Sequence, residues 1–470
     1  MKNNQVKNDS STQSADLNQN EDQQYKEYGS RWATVGGFLI INIVYNTVIG
    51  AFNPINSQVS KIYDINPVVV SMNTLASNLL YLPMAFIASF MMQKIGMRIT
   101  IWVSCAIMIA ALWIRLLINN NYYSVLAAHI LLGIGLPMNQ NMINSIPSIW
   151  FRVEVRQKIF LLCLLGSFLG LILSNILPGL WLNGYDIDKD ALNSYREGRN
   201  KLYQIMSIEA YIGTPLALIG CILFQNKPPT PPSKEAAKEK QPFLPQVKSV
   251  LSNKDYLLLF MSFGLFQGCN QGANVVLSYI LTPYGYGSEV TTYCNNIVII
   301  AGVIGMMRGG RMFRNNPNYK KHLMVSCIVC MIGFGVAIPV LPVNNQTLLI
   351  LPYALIGILS FHPMPLFINL SSEVAYPADP SISGGLLQGS AQLMSFISGE
   401  VYSAIMINET EERAIVIYII QIICLGVAFL LLFPLTVQLK RTEAQGPDQQ
   451  PLQNQVEEQN QQKKRENKRF

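Results

Sequence analysis

An all-α membrane protein of twelve transmembrane helices, arranged as two six-helix bundles, is the fold this sequence predicts. Three observations carry that prediction. Half of the 470 residues are hydrophobic and only 13% are charged, against about a quarter charged in soluble domains. Apolar runs near the ~20 residues that cross ~30 Å of hydrocarbon as a helix recur along most of the chain. One long polar interval interrupts them midway, leaving six runs on either side.

The first six runs lie at about Ala33–Phe52, Val68–Met92, Ile99–Ile118, Ser124–Pro147, Ile159–Leu180 and Met206–Phe224. The second six lie at about Tyr256–Leu281, Thr292–Met312, Leu323–Leu341, Leu348–Leu370, Gly384–Met406 and Ala414–Leu435. Between the sets, KPPTPPSKEAAKEK is rich in Pro and Lys and can neither continue a helix nor bury itself. The expected organisation is therefore a first bundle over 31–225, a cytosolic linker over 226–254 and a second bundle over 255–438. The flanking segments 1–30 and 439–470 are rich in Asn, Gln, Asp and Glu. They read as disordered cytosolic tails, and the first lacks the apolar core of a signal peptide.

The net charge of +7 could suggest nucleic acid, but the basic residues sit in short loops between apolar runs and in the tails. That is the mark of membrane orientation, not of a phosphate-binding face. With both tails inside, about twenty Lys and Arg fall on the cytosolic side and about seven on the other, which fixes the orientation by the positive-inside rule. Two glycosylation sequons, at Asn345 and Asn408, fall in loops assigned outside. All eight cysteines lie within apolar runs and read as buried, without a disulfide framework. No cofactor or metal is expected. The expected partners are membrane lipid and a small-molecule substrate, the chain itself being monomeric in either a plasma or an internal membrane.

Ionisable groups inside a membrane span are functional by default, yet none sits centrally in spans one, four, seven or ten. Arg115, Glu209 and Glu400 lie toward outer ends, with His129 near the start of span four and His362 within span ten. Amides are the unusual feature. Span one carries Asn42 and Asn46 one turn apart; span seven carries Gln267, Asn270, Gln271 and Asn274. Span four carries Asn139, Gln140, Asn141 and Asn144, and span eleven Gln388 and Gln392. Spacings of three and four put such groups on one helix face. An amide can serve as interhelical glue worth ~0.6–2 kcal/mol, but four polar stripes together point to a wet cavity. Gly133, Gly135 and Pro137 in span four, with Gly166 and Gly170 in span five, permit close approach and broken backbone pairing beside it.

Two six-helix halves joined by a basic central loop resemble the major facilitator superfamily. Its loop pattern after span two, G-x-x-x-D-R-x-G-x-R, is matched here by Lys94, Gly96 and Arg98, with Gln93 where the Asp stands. Ser372-Glu373-Val374-Ala375-Tyr376-Pro377, followed by Gly384-Gly385-Leu386-Leu387-Gln388-Gly389-Ser390-Ala391-Gln392, resembles the feline leukaemia virus subgroup C receptor-related family. So do Ile146-Pro147-Ser148-Ile149-Trp150-Phe151 and the span-one ending Phe52-Asn53-Pro54-Ile55. The resemblance implies facilitated transport of choline or ethanolamine, with haem proposed for some members. In the family a span-one Trp and a span-seven Tyr enclose the choline cation, helped by Gln in spans four and eleven. Of these only the last matches, as Gln392. The Trp position reads Ile49, the Tyr position falls at Asn270 or Gln271, and the span-four Gln position reads Leu136.

The expected function is secondary transport, by alternating access, of a small polar organic solute, choline- or ethanolamine-like; the chain is not an enzyme. Its alternatives are a haem or porphyrin exporter and a non-transporting receptor on a transporter fold. Asn46, Asn270, Gln271 and Gln392 are the expected substrate contacts, since each amide both donates and accepts. Tyr45 and Phe266, each one turn before a lost cage position, are the residues that would rebuild an aromatic cage. Lys94, Gly96 and Arg98 are the expected gate of the first half, with Arg311 its counterpart in the second.

Overall fold

The computed structural model describes residues 28–182, 192–230, 243–315 and 318–437. Both tails, apart from residues 28–30, and residues 231–242 of the linker lie outside them. Among the described residues the chain is all-helical. Helices α1 (Ser30–Gly50), α2 (Asn56–Tyr63), α3 (Pro67–Lys94), α4 (Met97–Arg115), α5 (Tyr123–Trp150), α6 (Val153–Trp181) and α7 (Leu192–Leu223) make up the first half. The second contains α8 (Phe243–Leu251), α9 (Lys254–Phe263), α10 (Cys269–Val275), α11 (Leu277–Leu281), α12 (Ser288–Asn315), α13 (Tyr319–Val340), α14 (Gln346–Phe361), α15 (Met364–Val374), α16 (Pro380–Ile405) and α17 (Glu411–Leu431).

The ends of these helices follow from local chemistry. Asp64 takes a left-handed conformation (φ 52°) and its N–H donates back to Ser60, which closes α2. Asn66 then caps α3, accepting from the Val68 N–H at 2.9 Å, with Pro67 in the first turn where its missing N–H costs nothing. Gly96, at φ 87°, makes the turn between α3 and α4. Residues 243–251, part of the stretch read as linker, form α8 because Phe243, Val247 and Val250 present one apolar face; Val247 and Val250 are buried.

Among the described residues, nine helical segments are long and apolar enough to cross a membrane. Absent from the nine are α5, α16 and the interrupted run α9–α11, although α5 and α16 have 28 and 26 residues. Polar residues lower their apolarity: Asn139 to Asn141 and Asn144 in α5, Gln388, Gln392 and six serines in α16. Exposed Trp32, Phe90, Ile222, Leu351 and Leu430 are among the large apolar side chains that cover the outside. A protein in water would bury such a surface.

The first half has three apolar clusters and the second a single one. Polar layers divide the first. Asn42 and Asn139 lie between the cluster around Phe38 and Trp150 and that around Tyr45 and Leu132. Arg115 and Glu209 lie between the latter and the cluster around Phe52. The halves meet along α3 with α16 and along α6 with α12.

Where α1 ends and α3 begins, the halves are tied together. Asn56 Nδ2 donates to the Val275 carbonyl at 2.8 Å and the Tyr279 hydroxyl to the Asn56 carbonyl at 3.0 Å. Ser57 Oγ donates to Glu409 at 2.8 Å, and Lys61 pairs with the same carboxylate at 3.0 Å. Ser403 Oγ donates to Ser71 Oγ at 2.7 Å and Ser288 Oγ to the Gly179 carbonyl at 3.1 Å. At the opposite end the halves stand apart around a cavity of about 500 Å³, lined by Gln93, Lys94, Asn141, Asn144, Phe243 and Asp379 among others.

Candidate substrate cavity

A second cavity, of about 330 Å³, lies between the halves. Asn141 and Asn144 line both, so the central cavity leads toward the open end. Its walls come from α1, α3, α5 and α6 on one side and from Gln267 and α10–α17 on the other. The three segments too polar to count as apolar spans therefore all line it. Among the described residues its lining contains no Asp, Glu, Lys, Arg or His, but many amides.

The structure brings Asn46, Asn270, Gln271 and Gln392 to this one cavity, yet their side chains are committed differently. Asn42 is the hub of a buried network: its Nδ2 donates to Ser167 Oγ at 2.8 Å and the Cys163 carbonyl at 3.1 Å. Its Oδ1 accepts from Asn46 and from Asn139, both at 2.9 Å. Asn46 Nδ2 also donates to the Asn42 carbonyl at 2.7 Å, which leaves only Asn46 Oδ1 for a solute. Asn270 Nδ2 donates to the Phe266 carbonyl at 2.6 Å, and its Oδ1 lies 3.1 Å from the Gln421 amide. Gln271 and Gln392 are half-buried and have no side-chain hydrogen bond among the described residues; Gln140, Asn274 and Gln388 share that condition.

Tyr45 and Phe266 are not in the lining. The Tyr45 hydroxyl donates to the Leu132 carbonyl at 2.5 Å, which turns the ring into the core of the first half. Phe266 packs on Phe367 with ring centroids 6.0 Å apart. The rings that do line the cavity are Tyr81, Phe160, Phe168, Phe334, Tyr353, Phe361 and Tyr418. Several of these spend their polar groups or edges on each other. The Tyr353 and Tyr418 hydroxyls are 2.5 Å apart, Phe334 packs on Tyr418 at 5.9 Å, and Phe168 meets Phe361 edge-on at 5.6 Å. Sequence reading missed this group because an aromatic residue in an apolar span looks the same whether it faces lipid, core or cavity.

The expected gate is distributed. Lys94 lines the open-end cavity. Gly96 stands where a Cβ would lie 2.6 Å from Asn226 Oδ1, and that oxygen accepts from the Arg98 N–H at 3.4 Å. The Arg98 guanidinium lies over Trp102, 4.8 Å from its centroid. These contacts stay within the first half. Arg311 belongs to α12, and its side chain falls outside the described residues. Asn345 and Asn408 are exposed, and Asn345 caps α14 by accepting from the Leu348 N–H at 3.1 Å.

Arg115 and Glu209, read from the sequence as separate outer-end charges, form a fully buried ion pair. The Arg115 guanidinium lies over Phe52 at 5.6 Å, and Phe52 meets His129 edge-on at 5.4 Å. A buried pair is costly to break because the survivor stays charged without a partner. None of these residues lines the central cavity. Among the described residues no group of three His, Cys, Asp or Glu could hold a metal.

Comparison with known proteins places this geometry. The family model of the Major Facilitator Superfamily matches residues 38–399. The chain belongs to that superfamily. It is a multi-pass membrane transporter, and an all-helical one. Among curated proteins it is similar to the choline/ethanolamine transporter flvcr2b of Danio rerio, 22% identical over 388 residues that cover 79% of this chain and 77% of the relative. It is 23% identical to the choline/ethanolamine transporter FLVCR2 of Rattus norvegicus, over 80% of this chain and 69% of that protein. In fold it resembles the E. coli fucose:proton symporter, with a TM-score of 0.61 at 13% identity over 88% of this chain and all of the other.

Proposed function

We propose that this transporter is a facilitator that moves a small polar organic solute, of the choline or ethanolamine kind, by alternating access. The observation that carries the reading is the central cavity: both halves line it, amides furnish it, and among the described residues no Asp, Glu, Lys, Arg or His enters its lining. A site of that kind suits a neutral or singly cationic solute with hydroxyl or amino groups, and Gln271 and Gln392 offer it free donors and acceptors. Asn46 adds an acceptor, and Asn270 steadies the wall from which Gln271 projects. The relatives named for choline and ethanolamine favour the same solute class. A porphyrin is disfavoured because, among the described residues, the lining has neither His nor Cys to hold its iron.

Adding α5, α9–α11 and α16 to the nine apolar spans gives twelve, in two bundles of six, with residues 226–254 as the link. The open end carries Lys94, Arg98, Arg152, Arg156, Arg308, Lys320 and Lys321, so it faces the cytosol by the positive-inside rule. On this reading the molecule is inward-facing and acts as a monomer in lipid. The test is uptake of labelled ethanolamine and choline by proteoliposomes. Saturable uptake is expected, with KM raised about tenfold by Gln392→Ala, the loss of one good hydrogen bond. Absence of uptake of both solutes by well-folded protein would refute the substrate class.

A further inference from the structure

Two amides in the cavity differ from all the others. Gln267 and Asn295 are 3% and 5% exposed, line the cavity, and leave Gln267 Oε1 and Asn295 Nδ2 buried without a hydrogen-bond partner. Neither side chain makes any other hydrogen bond among the described residues. Of the remaining free amides, Gln140, Gln271, Asn274, Gln388 and Gln392 are only half-buried and Asn144 is exposed. Buried polar atoms are normally paired, and an orphan calls for an explanation such as a missing ligand or water. Gln267 also lies in a single π-helical turn, Gly264–Gly268, between α9 and α10. Such turns are rare and concentrate at functional sites. This one shifts the register of α10, while Gly264 and Gly268 bring the segment close against Ser390, Ala391 and Met394 of α16.

The two orphans are complementary in kind. Gln267 offers an oxygen that needs a donor hydrogen; Asn295 offers an N–H that needs an acceptor. We infer that Gln267 and Asn295 are specificity-determining residues of the transport site, the first accepting from an ammonium N–H of the solute and the second donating to its oxygen. The assignment of the ammonium to the oxygen follows from charge, since a hydrogen bond with an ionised donor is about twice as strong as a neutral one. A primary amine bearing a hydroxyl satisfies both residues. A quaternary ammonium has no N–H and leaves Gln267 unpaired in the occupied cavity. The inference rests on the reading of the cavity as the solute site and sharpens it: the preferred solute is a hydroxylated primary amine.

The experiment uses the full chain in proteoliposomes and measures KM and Vmax for ethanolamine, its N-methyl and N,N-dimethyl derivatives, and choline. Wild-type KM should rise along that series, by about tenfold from first to last. Gln267→Leu should raise KM for ethanolamine by about tenfold and flatten the series, whereas Gln267→Glu, which keeps acceptor oxygens, should preserve it. Asn295→Leu and Asn295→Asp should both raise KM, because neither can donate. A structural role predicts no such split between Glu and Leu, or between donor and acceptor. If Gln267→Leu fails to accumulate, the Glu variant and the wild-type series carry the test. Water filling the orphaned positions would leave KM unchanged in every variant and make the Leu variants more heat-stable, which overturns the inference alone. A flat wild-type series also overturns it, while saturable uptake leaves the transport reading standing. Absence of uptake in the wild type overturns both.

Discussion

The two ends of the interface between the halves are held in different ways. Where α1 ends, side chains of one half reach backbone carbonyls, hydroxyls and a carboxylate of the other: Asn56 to Val275, Tyr279 to Asn56, Ser57 and Lys61 to Glu409, Ser403 to Ser71. Where α3 ends, the ring of Phe86 against Phe243, 5.8 Å apart, stands beside a cavity of about 500 Å³. The lesson lies in the currency of the closed end. Each neutral hydrogen bond contributes about 0.5–1.5 kcal/mol and is replaceable by water. A closure made of many such bonds is specific in register, yet can be exchanged for a comparable closure at the other end. A large buried apolar interface would hold one state permanently, and a transporter needs two states within a few kcal/mol.

The largest effect is expected from making the closed end permanent. Ser71 and Ser403 touch through their hydroxyls at 2.7 Å, within the reach of a disulfide. Under oxidising conditions Ser71→Cys with Ser403→Cys should bring uptake to background, and a reductant should restore it. An impermeant thiol reagent should still label Asn144→Cys from the open end of the oxidised protein. Undiminished uptake in the oxidised double variant would show that this end does not open during transport.

Much of this arrangement was legible because amides are conspicuous in an apolar span. Asn46, Asn270, Gln271 and Gln392 lie on three different helices, and helical spacing sufficed to bring them to one cavity. Their commitments were not legible. Asn270 is tied down and Gln271 is free because of neighbours on α17, some 150 residues away in sequence, and the π-helical turn before them resets the register in a way that regular 3.6-residue spacing does not describe. Tyr45 read as a cage residue because it lies one turn before Ile49. The structure turns it away, since its hydroxyl finds the carbonyl of Leu132. Arg115 and Glu209 were visible as charges in apolar runs, and their opposite signs were the one signal of a pair. Helix α8 was hidden because the Pro- and Lys-rich stretch before it reads as linker, and nine residues are too few to show periodicity.

A smaller effect follows from loosening the closed end instead of locking it. Glu409 accepts from Ser57 and pairs with Lys61, whose side chain is 43% exposed. An exposed pair is worth about 0.2–1 kcal/mol and is screened by salt. Glu409→Gln should therefore shift the balance between the two states by about two- to fivefold. Labelling of Ser278→Cys by an impermeant reagent from the closed end would report it, as a faster reaction in the Gln background. High salt should speed labelling in the wild type and change it little in the variant. Equal labelling rates at low salt would mean that the neutral hydrogen bonds alone set the closure.

The smallest effect is expected at Arg98. Its place in the loop between the second and third spans suggests a gate, but the guanidinium lies over Trp102 on its own helix, and the Arg98 backbone N–H donates to Asn226, just beyond the end of α7. Both contacts belong to the first half, and the second half stands away from it across the open-end cavity. An exposed cation over an aromatic face contributes about 0.5–1 kcal/mol, so Arg98→Ala should lower thermal stability by about that amount. Since the same contact is available whichever end is open, the transport rate should change by less than about twofold. Measured Vmax in proteoliposomes, normalised to folded protein, decides the matter. A tenfold fall with stability intact would mean that Arg98 leaves Trp102 and finds a partner on the second half when the open end closes. Arg98 would then belong to a latch matching the one that Glu409 and Lys61 make at the other end.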